Sequence, residues 1–235
     1  MEPRYTGAAG APPAGTGTDV DTSVLRGLNG FADSAPGWLE QLLVFAARFG
    51  IIALLVVLIA VCGWRIRRTQ EGPRAAGALG ALLWAPVAAA VAFAVNIPIK
   101  GFVERVRPEQ ADVEGVDALL ASGGWSFVSD HAAVATALAV AAFVAHRGFG
   151  AVALVLALLE GLGRIALGVH YPTDVIGGFA LGAATALLLA PPAIGRLSSL
   201  ARRLGLVRDT SPATEPGSGV TWAVPARAGE DDLAA

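Results

Sequence analysis

Charge is scarce in this chain of 235 residues. Asp, Glu, Lys and Arg make up 15% of positions, against about 25% in a soluble domain, so a fully water-facing surface is excluded. Lysine occurs once, as Lys100. Cysteine also occurs once, as Cys62 in an apolar run, which rules out a disulfide framework and suits a small buried hydrophobe. A formal net charge of −2 leaves no basic surplus for a nucleic-acid partner. Residues 1–20 lack the apolar core of a signal peptide. No internal repeat suggests an inverted-repeat transporter, and the sequence has no glycine-rich nucleotide loop and no Cys/His metal cluster.

What is present is apolar mass, 54% of residues, gathered in blocks of about 20 residues, the length that crosses a bilayer as a helix. Five spans are predicted: 42–64, 76–99, 131–146, 149–167 and 172–194, the third short for a full crossing. All are rich in alanine, which lets membrane helices approach closely. Residues 23–39 mix apolar and polar groups and suit an interfacial helix. The predicted fold is therefore all-α, a polytopic membrane helical bundle of about five transmembrane helices behind an N-terminal interfacial helix. Residues 21–204 form one membrane domain. Residues 1–20 and 205–235, polar and rich in Pro and Gly, are expected to be disordered tails.

Arginines orient the bundle. Arg65, Arg67, Arg68 and Arg74 follow the first span, Arg147 follows the third, and Arg196, Arg202, Arg203 and Arg208 follow the fifth. The positive-inside rule puts these links in the cytoplasm. The N-terminus and residues 100–130 and 164–174 then lie outside. Arg105 and Arg107 violate the rule, and cations kept on the wrong side imply a use.

Three polar islands fall on that external side. The first runs from Lys100 to Arg107-Pro108. If helical, it places Lys100 and Arg107 two turns apart on one face, a point charge and a planar fork suited to phosphate. Its bland reading is a pair of snorkelling side chains. The second is Val128-Ser129-Asp130-His131, where Ser129 or Asp130 caps the following helix and the free amides offer an anion site. The bland reading there is an ordinary cap. The third runs from Arg164 to His170 and Asp174. Four-residue spacing lets the carboxylate hold one imidazole nitrogen and free the other as a nucleophile, although a structural hydrogen bond would look the same. Glu160 is the one unassigned charge within apolar sequence, and pairing with Arg164 four residues on is its expected role.

Taken together, K-x6-R-P, S-x-H and R-x5-H-x3-D resemble the type 2 phosphatidic acid phosphatase superfamily from Lys100 to Asp174. The resemblance implies metal-independent hydrolysis of a phosphomonoester or pyrophosphate through a phosphohistidine, with no cofactor. It implies that His170 attacks phosphorus, that Asp174 orients it, and that His131 protonates the leaving oxygen. It assigns Lys100, Arg107 and Arg164 to the phosphoryl oxygens, with Ser129, Asp130 and nearby amides completing the cradle. Two positions depart from the usual pattern: Val128 stands for proline and Gly163 for serine. Asp130 resembles the branch acting on undecaprenyl pyrophosphate. The implied protein is a multi-pass cell-membrane enzyme with its site on the extracytoplasmic side, taking a lipid phosphate or pyrophosphate among membrane lipids. Phosphatidic acid, phosphatidylglycerol phosphate and other prenyl phosphates are alternative substrates. A non-catalytic phospholipid-binding protein is the alternative from another class. Oligomeric state is not legible.

Overall fold

The computed structural model describes residues 18–120 and 122–208, so most of both expected tails lies outside the described residues. At their inner edges the tails give way to packed structure. Helix α1 (Asp19–Asp33) begins inside the predicted N-terminal tail, capped by the Thr18 hydroxyl accepting from the Asp21 amide at 3.2 Å. Near the other end, Leu206 and Val207 pack against the core.

Pro36 ends the first polar connection and starts α2 (Gly37–Phe45), which passes through a π-helical turn, Ala46–Gly50, into α3 (Ile51–Thr69). The interfacial stretch predicted at 23–39 is thus divided between α1 and the start of a long rod. Helix α4 (Gly72–Val103) follows, then the connection 104–129, α5 (Asp130–Ala145), α6 (Arg147–Ala166), α7 (Pro172–Leu188) and α8 (Ala190–Arg203). Among the described residues three rods are long and apolar enough to cross a membrane: Gly37–Thr69, Gly72–Val103 and Arg147–Ala166. A fourth is added if α7 and α8, bent by 58°, count as one span. Helix α5 is apolar but has 16 residues, about 24 Å at the helical rise and short of a bilayer core. The span predicted to reach residue 194 stops at Leu188, because Pro191 and Pro192 cannot extend the hydrogen-bond ladder of α7. Helix α8 instead lies against α4, where Gly80 faces the backbone of Ile194 and Ser198.

Helix α5 is the hub, packed by α4, α6 and α7. Seven of its alanines are buried, Ala132, Ala133, Ala135, Ala137, Ala139, Ala141 and Ala142, so its neighbours meet backbone rather than side chain. Helix α7 comes closest through two glycines one turn apart. A Cβ on Gly178 would stand 2.7 Å from the Ser129 carbonyl oxygen, and one on Gly182 would collide with that of Ala133. Outside, Leu54, Val56, Val57, Val61, Val152, Val155, Leu158 and Leu159 are exposed, an apolar belt suited to lipid.

This packing sorts the connections to two ends. At one, the Ser129 amide donates to the Asp174 carbonyl at 3.0 Å and the Leu119 amide to the Leu167 carbonyl at 3.3 Å, so all three polar islands meet. At the other, the Gly72 amide donates to the Arg208 carbonyl at 3.1 Å, among the arginines predicted to be cytoplasmic. Because the α5–α7 approach has no room for a methyl group, Gly182→Ala should cost about 1–3 kcal/mol and lower the melting midpoint in detergent. Gly195→Ala, with nothing within 4 Å of its added carbon, should leave the midpoint unchanged.

Candidate active site

Lys100 lies in the last turn of α4, but the helix does not continue to Arg107 as the spacing suggested. Glu104 adopts a left-handed conformation (φ 48°) and closes the helix with its amide on the Lys100 carbonyl at 3.0 Å. Arg107 therefore arrives from a loop, and Pro108 just beyond it could not have prolonged the helix. Its guanidinium is buried. Nε donates to the Gly124 carbonyl at 3.0 Å, and Nη1 donates to the Val169 carbonyl at 3.0 Å and reaches Nε2 of His170 at 3.3 Å.

That last contact decides the imidazole tautomer. A guanidinium can only donate, so Nε2 of His170 is the acceptor and the ring proton sits on Nδ1. There it faces Ser126 Oγ at 3.4 Å and Asp174 Oδ2 at 3.5 Å. The Asp174 carboxylate is itself held on several sides. Arg105 Nη1 donates to Oδ1 at 2.6 Å, the Tyr171 amide donates to Oδ2 at 2.9 Å, and the Ser126 hydroxyl donates to Oδ2 as well. The Tyr171 bond also closes the first turn of α7, which starts at Pro172, where the missing proline N–H costs nothing.

Ser129 caps α5, its Oγ accepting from the Ala132 amide at 3.5 Å. The amides of Asp130 and His131, at the first two helical positions, have no intrahelical partner by geometry. The Asp130 side chain does not point to a phosphate role. It pairs with the Lys100 ammonium and accepts from Asn96 Nδ2 at 2.6 Å, and an ionised carboxylate has no proton to donate. Half-buried His131 faces the backbone of Arg48 in the π-helical turn, an irregularity frequent at functional sites.

Arg164, on α6, is also buried, and its Nε makes no hydrogen bond. It stands within electrostatic reach of both His131 and His170, and of Arg107, Asp130 and Glu109. The expected pairing with Glu160 is not formed: among the described residues no ion pair of 4.0 Å or less joins them, and both Glu160 oxygens are buried without a hydrogen bond. Glu160 still acts on Arg164 electrostatically, ahead of Arg107, Asp130 and Glu109, but without a direct contact. The eight residues singled out in the sequence thus gather at one end of the bundle.

The PAP2 superfamily model matches residues 81–191. The chain is 35% identical over 173 residues to decaprenylphosphoryl-5-phosphoribose phosphatase of Mycobacterium tuberculosis, covering 73% of this chain and 80% of that protein. The chain belongs to the PAP2 superfamily. It is also 29% identical over 140 residues to undecaprenyl-diphosphatase BcrC of Bacillus subtilis, covering 59% of this chain and 67% of that one. The crystal structure of a transmembrane PAP2-type phosphatidylglycerolphosphate phosphatase from Bacillus subtilis shares the fold. Its TM-score is 0.53 at 24% identity, over 80% of this chain and 89% of the other. The chain is accordingly a multi-pass membrane protein of a phosphatase family.

Within the PAP2 site, burial outweighs attraction. Desolvation pushes the His170 imidazole down to about 4, against the opposing hydrogen bond to Asp174 and with a smaller downward push from Arg107. Burial likewise pushes Arg107 down and Glu109 up. The residues that sequence reasoning missed are Ser126, Asn96, Asp21 and Thr173, while Arg105 stands out as a cation on the wrong side without an assigned role. Asn96 was findable, as the lone amide in an apolar run. Ser126 and Thr173 carry no such signal.

A base whose folded pKa lies below its unfolded value stabilises the protein above about pH 6.5 and loses that contribution as pH falls through about 4. The chain has three histidines, so imidazole-15N labelling should resolve each. His170 is expected to stay neutral, protonated on Nδ1, down to about pH 5. A midpoint near 6.5 would contradict the buried geometry.

Proposed function

We propose that this PAP2 protein hydrolyses a polyprenyl diphosphate at the extracytoplasmic membrane face through a phosphohistidine. The observation that carries this reading is a pair of buried arginines with no carboxylate in direct contact, the nearby acids acting only from farther away. Arg107 and Arg164 are each 4% exposed, and no ion pair of 4.0 Å or less involves either among the described residues. Buried charges are ordinarily paired. A phosphate dianion between the two arginines and the amides at the start of α5 satisfies all of these donors.

The chemistry follows from that placement. Nε2 of His170 attacks the terminal phosphorus while the bond from phosphorus to the bridging oxygen breaks. His131, whose proton affinity the substrate's negative charge raises, gives its proton to that leaving oxygen and becomes neutral. It then takes a proton from water, which attacks phosphorus and breaks the P–N bond. Inorganic phosphate leaves and the His170 imidazole is regenerated. Asp174 keeps the Nδ1 proton in place and stabilises the cationic phosphoimidazole. Charge stabilisation by fixed cations is the main demand of phosphoryl transfer; Arg107 and Arg164 meet it, with Lys100 sharing its ammonium between Asp130 and the phosphate, and no metal enters the scheme.

The diphosphate assignment draws on the relative named undecaprenyl-diphosphatase. The relative named decaprenylphosphoryl-5-phosphoribose phosphatase favours a second reading, a polyprenyl-linked phosphomonoester, on the same machinery. The outward orientation draws on the arginines at the opposite end of the bundle.

Purified protein should release phosphate from undecaprenyl diphosphate faster than from phosphatidic acid, and equally with EDTA present. His170→Ala should lower kcat by at least about 10⁴-fold and Arg164→Ala by roughly 10²–10³-fold. Loss of turnover in EDTA, or a fully active His170→Ala, would overturn the mechanism. Orientation can be read with an impermeant maleimide. The native Cys62 is buried, so Gly123→Cys, in the exposed external loop, should label from outside intact cells.

A further inference from the structure

Behind Asp174, on the side away from His170, lies a second buried ionic layer that the reaction scheme leaves unused. Its centre is Arg105, stacked over the Tyr171 ring with Cζ 4.1 Å from the centroid. One face of the guanidinium serves the site, Nη1 donating to Asp174 Oδ1 at 2.6 Å and to Thr173 Oγ1 at 2.7 Å. The other face is held by α1, where Asp21 Oδ2 accepts from Nη2 at 2.7 Å. Asp21 grips the start of α7 as well. Its Oδ1 accepts from the Thr173 amide at 3.0 Å and its Oδ2 from the Thr173 hydroxyl at 2.6 Å. The Arg105 carbonyl, in turn, accepts from the Ser126 amide at 2.8 Å, fixing the serine that donates to Asp174.

Asp21 is 3% exposed, on a helix whose neighbouring polar contacts lie elsewhere. Arg26 Nε donates to the Glu114 carbonyl at 2.7 Å, and Asn29 Nδ2 donates to the carbonyls of Asp117 and Ala166 at 2.7 and 2.9 Å. Those bonds dock the helix on the external loop. Asp21 alone reaches the residues around the catalytic-site carboxylate.

We propose that Asp21 is a positioning residue: held in place by its bonds to Thr173, it acts through Arg105 to set the place and effective charge of Asp174. Resting on the proposed role of His170 as nucleophile, the argument is electrostatic. Arg105 sits between two carboxylates. With Asp21 in place, its charge is divided, and Asp174 keeps negative charge to offset the cation formed on His170. Without Asp21 the whole guanidinium charge falls on Asp174, which then stabilises that cation less. The substrate is gripped by other groups, so its binding is spared. Helix α1 is thereby part of the site and not only an anchor at the membrane surface.

The test compares Asp21→Asn, Asp21→Glu, Arg105→Met, the Asp21→Asn/Arg105→Met pair and Arg26→Ala, with His170→Ala as control, in full-length protein in detergent. Asp21→Asn should lower kcat roughly tenfold to hundredfold with KM within about twofold, and Asp21→Glu should recover part of the loss. In the double variant the Asp21 substitution should add no further loss, because its effect runs through Arg105. Arg26→Ala, which loosens only the docking of α1, should keep kcat. Wild-type kcat in Asp21→Asn, additive losses in the double variant, or an equal loss in Arg26→Ala would each overturn the proposal. If Asp21→Asn fails to fold, the Asp21→Glu and Arg105→Met kinetics decide it: unchanged kcat in both refutes it. An active His170→Ala would instead refute the nucleophile assignment.

Discussion

A carboxylate with no exposed surface, Asp174, is the charge around which the polar end of the bundle is organised. Taking such a group out of water is costly unless its lone pairs are filled, and here they are filled from three directions in the chain. Arg105 comes from the segment after α4, Ser126 from the segment before α5, and the Tyr171 amide from the turn that starts α7. Removing any donor would leave the charge undercompensated, so the carboxylate welds three separate segments into one wall. His170 is the product of that wall: its ring is placed where Nδ1 meets Ser126 and Asp174 while Nε2 looks toward Arg107.

The wall can form only because the helices beneath it come unusually close. Helices α5 and α7 approach through alanine methyls and the two glycines, Gly178 and Gly182. In lipid, where apolar contact with a neighbouring helix has little advantage over contact with acyl chains, such close packing is a main source of helix association. The start of α5, with Ser129 and His131, is thereby set beside the start of α7, with Asp174. The amide of one cap residue donates to the carbonyl of that aspartate. Short α5 thus brings its N-terminus to the site rather than completing a full crossing of its own.

How much of this is legible in the sequence depends on the kind of signal. The apolar blocks are long, so five helical stretches and the gathering of the islands at one end could be read from composition and arginine placement. Lys100, His131, Arg164, His170 and Asp174 stand out because ionisable groups are rare in this chain. Local spacing failed where tertiary partners intervened. The Lys100–Arg107 spacing fits a helix, yet Glu104 closes α4 three residues before Arg107. Asp130 sits within a phosphate motif, yet its side chain belongs to Lys100 and Asn96. Glu160 and Arg164 have ideal pairing separation, yet no ion pair of 4.0 Å or less joins them among the described residues. Ser126, Thr173 and Asp21 were invisible because a serine, a threonine and an aspartate in polar segments look the same whether solvated or buried.

The division of cations follows a simple rule. Lys100 and Arg105 each have a carboxylate partner, and neither has a charge to spare for a ligand without breaking or sharing that bond. Arg107 and Arg164 have none within 4.0 Å among the described residues, although Glu109 acts on both and Glu160 on Arg164 from farther away. Glu109 is itself tied to the Ser122 amide at 3.0 Å, which keeps it as a rim charge rather than a counter-ion. Two guanidiniums held close together in a desolvated wall repel each other, and only an anion between them turns that repulsion into attraction. On the proposed function that anion is the substrate's phosphate, which spreads its charge over several oxygens and so can meet more than one guanidinium at once.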